Sequence, residues 1–280
     1  MILTPTMKVN IADRFAIGGN GRFVLLAGPW GIEDEKTTLP TAESLKRICE
    51  RLGLNLVFKS SFDKANRSSV SSSRGVGMEC GLKILQRVKT EFDLPIVTDV
   101  HEAWQCNEVA NVADVVQIPA FLARQTDLLV AAARTNRVVN VKKGQFMAPW
   151  DMKNVVEKIR SVGNDKVLLC ERGTTFGYNN LVVDMTGLLD MRSLGVPVVF
   201  DATHSVQKPS EQGDCSGGNR AAIPYLLRAA VAVGVDAVFA EVHPNPDKAY
   251  SDVASQLPLA SLEEVLKPAI EIDSLVKGCL

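Results

Sequence analysis

Along this chain, short runs that are apolar almost without interruption alternate with longer segments in which apolar residues recur every three or four positions. The runs are FVLLAG (23–28), LVFKS (56–60), IVTDV (96–100), VVQIPA (115–120), VVNVKK (138–143), VLLCE (167–171), VVFDA (198–202) and AVFAEV (237–242). Each has the length and β-branched content of a strand. Between them, Leu45, Ile48, Cys49 and Leu52 sit at helical spacing before Gly53, and Val155, Ile159 and Val162 do the same before Gly163, so each glycine is read as a helix stop. The last helix opens Ser261-Leu-Glu-Glu264, the form of a capping box. Strands apolar on both faces and alternating with helices predict a parallel sheet, and eight of them close naturally into a (β/α)8 TIM barrel, an α/β fold. The alternative, an open doubly wound sheet, calls for a Gly-rich phosphate fingerprint after the first strand, and AGPWGIE has no GxGxxG. Residues 7–22, MKVNIADRFAIGGNGR, alternate and then turn at Gly18-Gly19-Asn20-Gly21, which predicts a hairpin closing the barrel bottom. Residues 1–280 are thus read as one domain, with 1–22 as its N-terminal extension.

Composition narrows the partners. Of 280 residues, 46% are hydrophobic, and the formal net charge is -1, so no global field attracts nucleic acid or an acidic membrane. No apolar stretch reaches the roughly 18 residues of a membrane span, and the first residues lack the basic start and apolar core of a signal peptide. A cytoplasmic protein is expected. The cysteines have no paired spacing, which suits reduced thiols.

In such barrels the site collects at the C-terminal strand ends. Those ends supply Lys59, Ser61 and Lys64, then Asp99 and His101, Gln117, Lys142 and Lys143, Glu171 and Arg172, Asp201 and His204, and Glu241 and His243. Charges at strand ends are often only a solvated rim, but a ring of them from seven strands favours a site. Lys59, Lys64, Arg67, Arg74, Lys142, Lys143 and Arg172 exceed what one carboxylate needs, and suit two phosphorylated or otherwise anionic groups. Local pairing with Asp63, Asp99, Glu171 or Asp201 is the alternative for any one of them. His204, Glu241 and Asp252 can hold a divalent metal at an open site, manage a proton and a water, or be three separately hydrogen-bonded residues.

The runs FKSSFDKANRSS (58–69), TDVHE (98–102), QIPAFLARQTDLL (117–129), NVKKGQF (140–146), ERGTTFGYNNLVVD (171–184), DATHSVQ (201–207), SGGNR (216–220) and EVHPNPDKAYSD (241–252) are jointly specific. In order and spacing, from about Phe23 onward, they resemble the 3-deoxy-D-manno-octulosonate 8-phosphate synthases. That resemblance implies a (β/α)8 barrel, usually a homotetramer, that condenses phosphoenolpyruvate with D-arabinose 5-phosphate for lipopolysaccharide biosynthesis. It implies that Lys59, Ser61, Lys64, Gln117, Lys142 and Arg172 bind phosphoenolpyruvate. It places Asn66, Arg67 and Ser68 on the arabinose 5-phosphate, with Arg124 contributed by a neighbouring subunit. His204, Glu241, Asp252, Asp99 and Trp30 fall at catalytic positions. Small phosphorylated substrates are the expected partners, with neither nucleic acid nor membrane among them.

Trp30 departs from the family. Metal-dependent relatives carry cysteine there, the fourth ligand beside the positions of His204, Glu241 and Asp252, and metal-independent ones carry asparagine. An indole N–H has no lone pair for a metal. Zinc, iron, manganese or cadmium would therefore meet an incomplete site. Trp30 is expected to fill the mouth, to swing aside into packing, or to supply the hydrogen bond of the asparagine. Rival readings are a 3-deoxy-D-arabino-heptulosonate 7-phosphate synthase, whose KPRTS-like run differs from KANRSS here, a lysine Schiff-base aldolase using Lys142 or Lys143, and a sugar-phosphate-binding barrel that Trp30 has deprived of turnover.

Overall fold

The computed structural model describes residues 3–67, 69–209 and 216–278. Each apolar run forms a strand: β1 Val24–Gly28, β2 Leu56–Lys59, β3 Ile96–Asp99, β4 Val115–Ile118, β5 Val138–Lys142, β6 Val167–Glu171, β7 Val198–Asp201 and β8 Ala237–His243. Neighbours pair in parallel, and β8 bonds to both β7 and β1, closing the ring. Helices α1 (Glu35–Leu52), α2 (Met78–Phe92), α3 (Gln105–Ala110), α4 (Thr126–Arg134), α5 (Met152–Arg160), α6 (Met185–Ser193), α7 (Ile223–Val233) and α8 (Leu262–Lys277) follow the strands in turn. This is the (β/α)8 barrel.

The strands read as continuous apolar runs because their two faces meet different cores. Leu25, Phe58, Ile96, Val116, Val139, Leu169, Phe200 and Val238 pack outward with the helices. Val24, Leu26, Val57, Val97, Val115, Val138, Leu168, Val199 and Phe239 fill the barrel interior. Each such burial contributes about 1.5–3 kcal/mol. Successive side chains alternate faces, so stepping two places from an interior residue stays inside. Val57 leads to Lys59 and Ser61, Val97 to Asp99, Val115 to Gln117, Asn140 to Lys142, Cys170 to Arg172, Val199 to Asp201 and Phe239 to Glu241. The interior therefore changes from hydrocarbon to charge toward the C-terminal strand ends.

The N-terminal hairpin is present, but its turn is not at the glycines. Val9–Ile11 pairs antiparallel with Phe15–Ile17, and the chain reverses at Ala12 and Asp13, both with positive φ (49° and 55°). The glycine run makes a second bend instead, where a Cβ on Gly18 would lie 2.2 Å from the Met7 carbonyl oxygen. Val9, Ile11 and Ile17 pack on the lowest interior side chains and close the barrel bottom. Helix starts also differ from expectation. Asp34 caps α1 by accepting from Thr37 N at 2.7 Å, and α1 ends at left-handed Gly53. Ser261 forms no capping box: its backbone is already helical (φ -94°, ψ -7°), which turns its hydroxyl away from the free amides. Gly163 lies three residues past the end of α5, with φ 82°. Among the described residues, no helix is long and apolar enough to cross a membrane.

Candidate active site

Gly28 at the end of β1 has no room for a side chain, since a Cβ there would sit 1.8 Å from the Lys59 carbonyl oxygen. This close approach brings the Trp30 carbonyl to 3.1 Å from Lys59 Nζ. Lys59 is 1% exposed and also donates to Ser61 Oγ (3.0 Å) and Glu241 Oε1 (3.1 Å). Lys64 Nζ reaches the same carboxylate oxygen at 3.2 Å. The Ser61 hydroxyl donates to Asp99, whose other oxygen lies 3.2 Å from His101 Nε2. Across the mouth, Lys142 donates to Asp201 Oδ2 at 2.5 Å and stands 3.7 Å from the centroid of the Phe239 ring.

His204 Nδ1 is 2.7 Å from Asp201 Oδ2, and its Nε2 is 3.6 Å from Glu241 Oε2. The Asp201 contact fixes the proton on Nδ1 and leaves the Nε2 lone pair facing the carboxylate. Burial lowers the His204 pKa, against the pull of Asp201, so the ring is neutral near pH 7. Burial opposes ionisation of Glu241 and Asp201, but their surroundings outweigh it: the ammonium groups of Lys64, Lys59 and Lys142 hold Glu241 well below the usual carboxylate range, and the hydrogen bonds from His204 together with the Lys142 ammonium do so for Asp201. The two lysines on Glu241 differ. Burial and then Lys64 push Lys59 down to about 8, whereas for Lys64 the burial penalty is overcome by Glu241, Asp99 and Asp252 and the pKa rises.

Lys64, Asn66, Arg67, Asp99, Gln117, Lys142, Arg172, His204 and Asp252 line one pocket above the strand ends. Other expected members lie elsewhere. Arg124 is exposed on the rim outside this pocket, and Ser68 lies outside the described residues. Arg74 forms an exposed ion pair with Asp63. Lys143 and Glu171 point off the interior parity. Lys143 is fully buried, donates to the Gly144 and Met147 carbonyls and Thr174 Oγ1, and lies 3.5 Å from Glu171. Gln145 and Gln207 also line the pocket, and Asn140 and Ser251 bond to residues that do; the sequence marks none of the four as a site residue. An amide in the middle of a buried strand, as in VVNVK, was the available signal for Asn140, which donates to Gln117 Oε1 at 3.1 Å. The others come together only in space.

Trp30 is fully buried beside the mouth, its Nε1 donating to Glu33 Oε1 at 2.8 Å. Its ring lies 5.9 Å from both Lys64 Nζ and Arg67 Cζ. The residues around it do not fit a bound divalent ion. Glu241 is held by two ammonium groups, His204 Nδ1 by Asp201, and both Asp252 oxygens by Gln207 and Ser251. Among the described residues, no three His, Cys, Asp or Glu side chains converge as a ligand set. A cation placed there would meet a carboxylate that two lysines already neutralise.

Residues 6–278 match the DAHP synthetase I family. Similar curated proteins include three named 2-dehydro-3-deoxyphosphooctonate aldolase. That of Fusobacterium nucleatum is 57% identical over 278 residues, covering 99% of this chain and all of the relative. That of a Synechococcus species is 56% identical (96% and 95% covered), and that of Geobacter sulfurreducens 57% (93% and 96%). With the KANRSS run, barrel and charged mouth all in place, the chain belongs to the DAHP synthetase I family and, within it, to the 2-dehydro-3-deoxyphosphooctonate aldolases.

Proposed function

We propose that this enzyme condenses phosphoenolpyruvate with D-arabinose 5-phosphate and water, giving 3-deoxy-D-manno-octulosonate 8-phosphate and inorganic phosphate for the lipopolysaccharide inner core. The observation that carries this reading, alongside the relatives, is a mouth with two separate guanidinium groups, each keeping a buried N–H without a protein partner: Arg172 Nη1 and Arg67 Nε. Two such donors suit two anionic groups. Lys59, Ser61, Lys64, Gln117, Lys142 and Arg172 face the enolpyruvate, and Asn66 and Arg67 the aldose. Ser68 and the partner subunit's Arg124 join the aldose site by resemblance.

In this reading C3 of the enolpyruvate attacks the aldehyde, whose oxygen takes up a proton from solvent to become a hydroxyl, while water adds at C2. The neutral His204 Nε2 accepts the proton of that water, beside an ionised Glu241 that stabilises the resulting imidazolium. The phosphohemiketal then expels phosphate toward Lys142 and Arg172, and each preorganised donor of this kind is worth about 3–4 kcal/mol in the transition state. Lys142 and Lys59 serve as ammonium groups held by carboxylates, not as Schiff-base amines. The chemistry needs no resident metal, a reading supported by the two ammonium groups on Glu241 Oε1 and by the bonds from Gln207 and Ser251 to both oxygens of Asp252. The enzyme is read as cytoplasmic and homotetrameric by resemblance; the exposed Phe121, Phe146 and Trp150 support self-association.

Phosphate release from phosphoenolpyruvate and arabinose 5-phosphate, on chelator-treated protein, tests this. Turnover is expected without added metal, and poorer turnover with erythrose 4-phosphate. Activity that returns only with a divalent ion overturns the metal-free site, and preference for erythrose 4-phosphate or no turnover overturns the substrate assignment.

A further inference from the structure

We infer that Gln207 and Ser251 are positioning residues that tie the two substrate-facing arginines to one carboxylate, Asp252, and so couple the two anion sites of the mouth. The inference rests on the substrate assignment above. Arg172 Nη2 donates to Gln207 Oε1 at 2.8 Å, and Gln207 Nε2 donates to Asp252 Oδ1 at 2.7 Å. From the other side Arg67 Nη1 donates to Ser251 Oγ, whose own proton goes to Asp252 Oδ2 at 3.1 Å. Every donor in this chain points toward Asp252, so both positive charges are drawn to one anion through neutral intermediates.

The relay is buried and its centre is fixed. Gln207 and Ser251 are 7% and 6% exposed. Asp252 has a left-handed backbone (φ 56°), and its carbonyl accepts from the Ser255 and Gln256 amides at 3.0 Å each. Gln256 Nε2 donates to the Ser251 carbonyl at 2.7 Å. Neither arginine is bonded directly to Asp252, and each retains an unpaired buried N–H. The relay sets where those free groups point. A ligand that immobilises one guanidinium also orders Gln207, Asp252 and Ser251, so the other guanidinium needs less ordering when its own ligand arrives.

The test measures calorimetric binding of each substrate alone, so that no reaction intervenes. Ser251→Ala touches only the Arg67 arm, yet it should weaken phosphoenolpyruvate about fivefold, and Gln207→Met on the Arg172 arm should weaken arabinose 5-phosphate by a similar factor. Ser251→Thr, which keeps the hydroxyl, should restore phosphoenolpyruvate binding, a rescue that general loosening of the loop would not give. If each variant weakens only the ligand on its own side, the relay is overturned while the substrate assignment stands. The Ser251→Ala and Ser251→Thr pair decides this even if Gln207→Met fails to fold. Wild-type protein that binds neither substrate overturns the assignment and the relay together.

Discussion

Both ends of the barrel bury charge, and they use it differently. At the bottom, Asp236 Oδ1 accepts from Thr6 Oγ1 (3.0 Å), and its Oδ2 accepts from Arg192 Nη1 (2.7 Å) and the Val198 amide (2.9 Å). Arg192 also donates to the Gly234 and Thr4 carbonyls. This network spends its polar atoms on the chain's own backbone and fastens the N-terminal segment to the barrel. At the top, Lys59, Lys142 and Arg172 are as deeply buried, but Arg172 Nη1, Gln145 Oε1 and Arg67 Nε are left without partners. A buried charge marks stability when it is saturated by its own chain, and marks a binding site when it retains bonding capacity toward a cavity.

This contrast can be broken most forcefully at the bottom. Asp236→Ala leaves Arg192 buried beside no carboxylate and should lower stability by about 3–5 kcal/mol in urea unfolding, with kcat/KM of the folded protein unchanged. A loss of activity without loss of stability would erase the distinction. At the top, Arg172→Ala should reduce kcat/KM for phosphoenolpyruvate by roughly 10²–10³ while leaving the urea midpoint nearly unmoved, because the removed charge served a ligand. A large drop in midpoint would class Arg172 with Arg192. The smallest effect is a pH limb. Lys59, with a pKa lowered to about 8, is an ammonium below that pH and a neutral amine above it. As kcat/KM reports the free enzyme, its value for phosphoenolpyruvate should fall about tenfold per unit above pH 8. A limb displaced toward the ordinary lysine value would show that Lys59 does not control it.

Much of this was legible in the chain itself. Eight apolar runs became eight strands, because parallel strands buried on both faces leave no polar alternation to misread. The interior parity that carries Val57 to Lys59 and Phe239 to Glu241 also separates Lys142, which faces the pocket, from its neighbour Lys143, which is consumed by loop carbonyls. Local chemistry misled where backbone geometry decided: the glycine run drew the hairpin turn away from Ala12-Asp13, and Ser261 resembles a cap but is already helical. The Arg172–Gln207–Asp252–Ser251–Arg67 relay joins residues far apart in sequence, and no spacing announces it. Trp30 was a visible anomaly, but its direction depended on Glu33, three residues on, whose carboxylate accepts the indole N–H and also the Tyr250 amide at 3.1 Å.

The closure of the ring bears on how the protein is made. Val24 of β1 pairs with Ala237 of β8, and the Phe23 amide donates to Asp273 in the last helix at 3.0 Å. During synthesis β1 emerges first, yet one of its edges has no native neighbour until almost the whole chain has been translated, a delay of roughly ten seconds or more at ordinary elongation rates. Until then the nascent barrel is an open, apolar sheet edge near the ribosome, the kind of surface that chaperones shield and that neighbouring nascent chains can pair with.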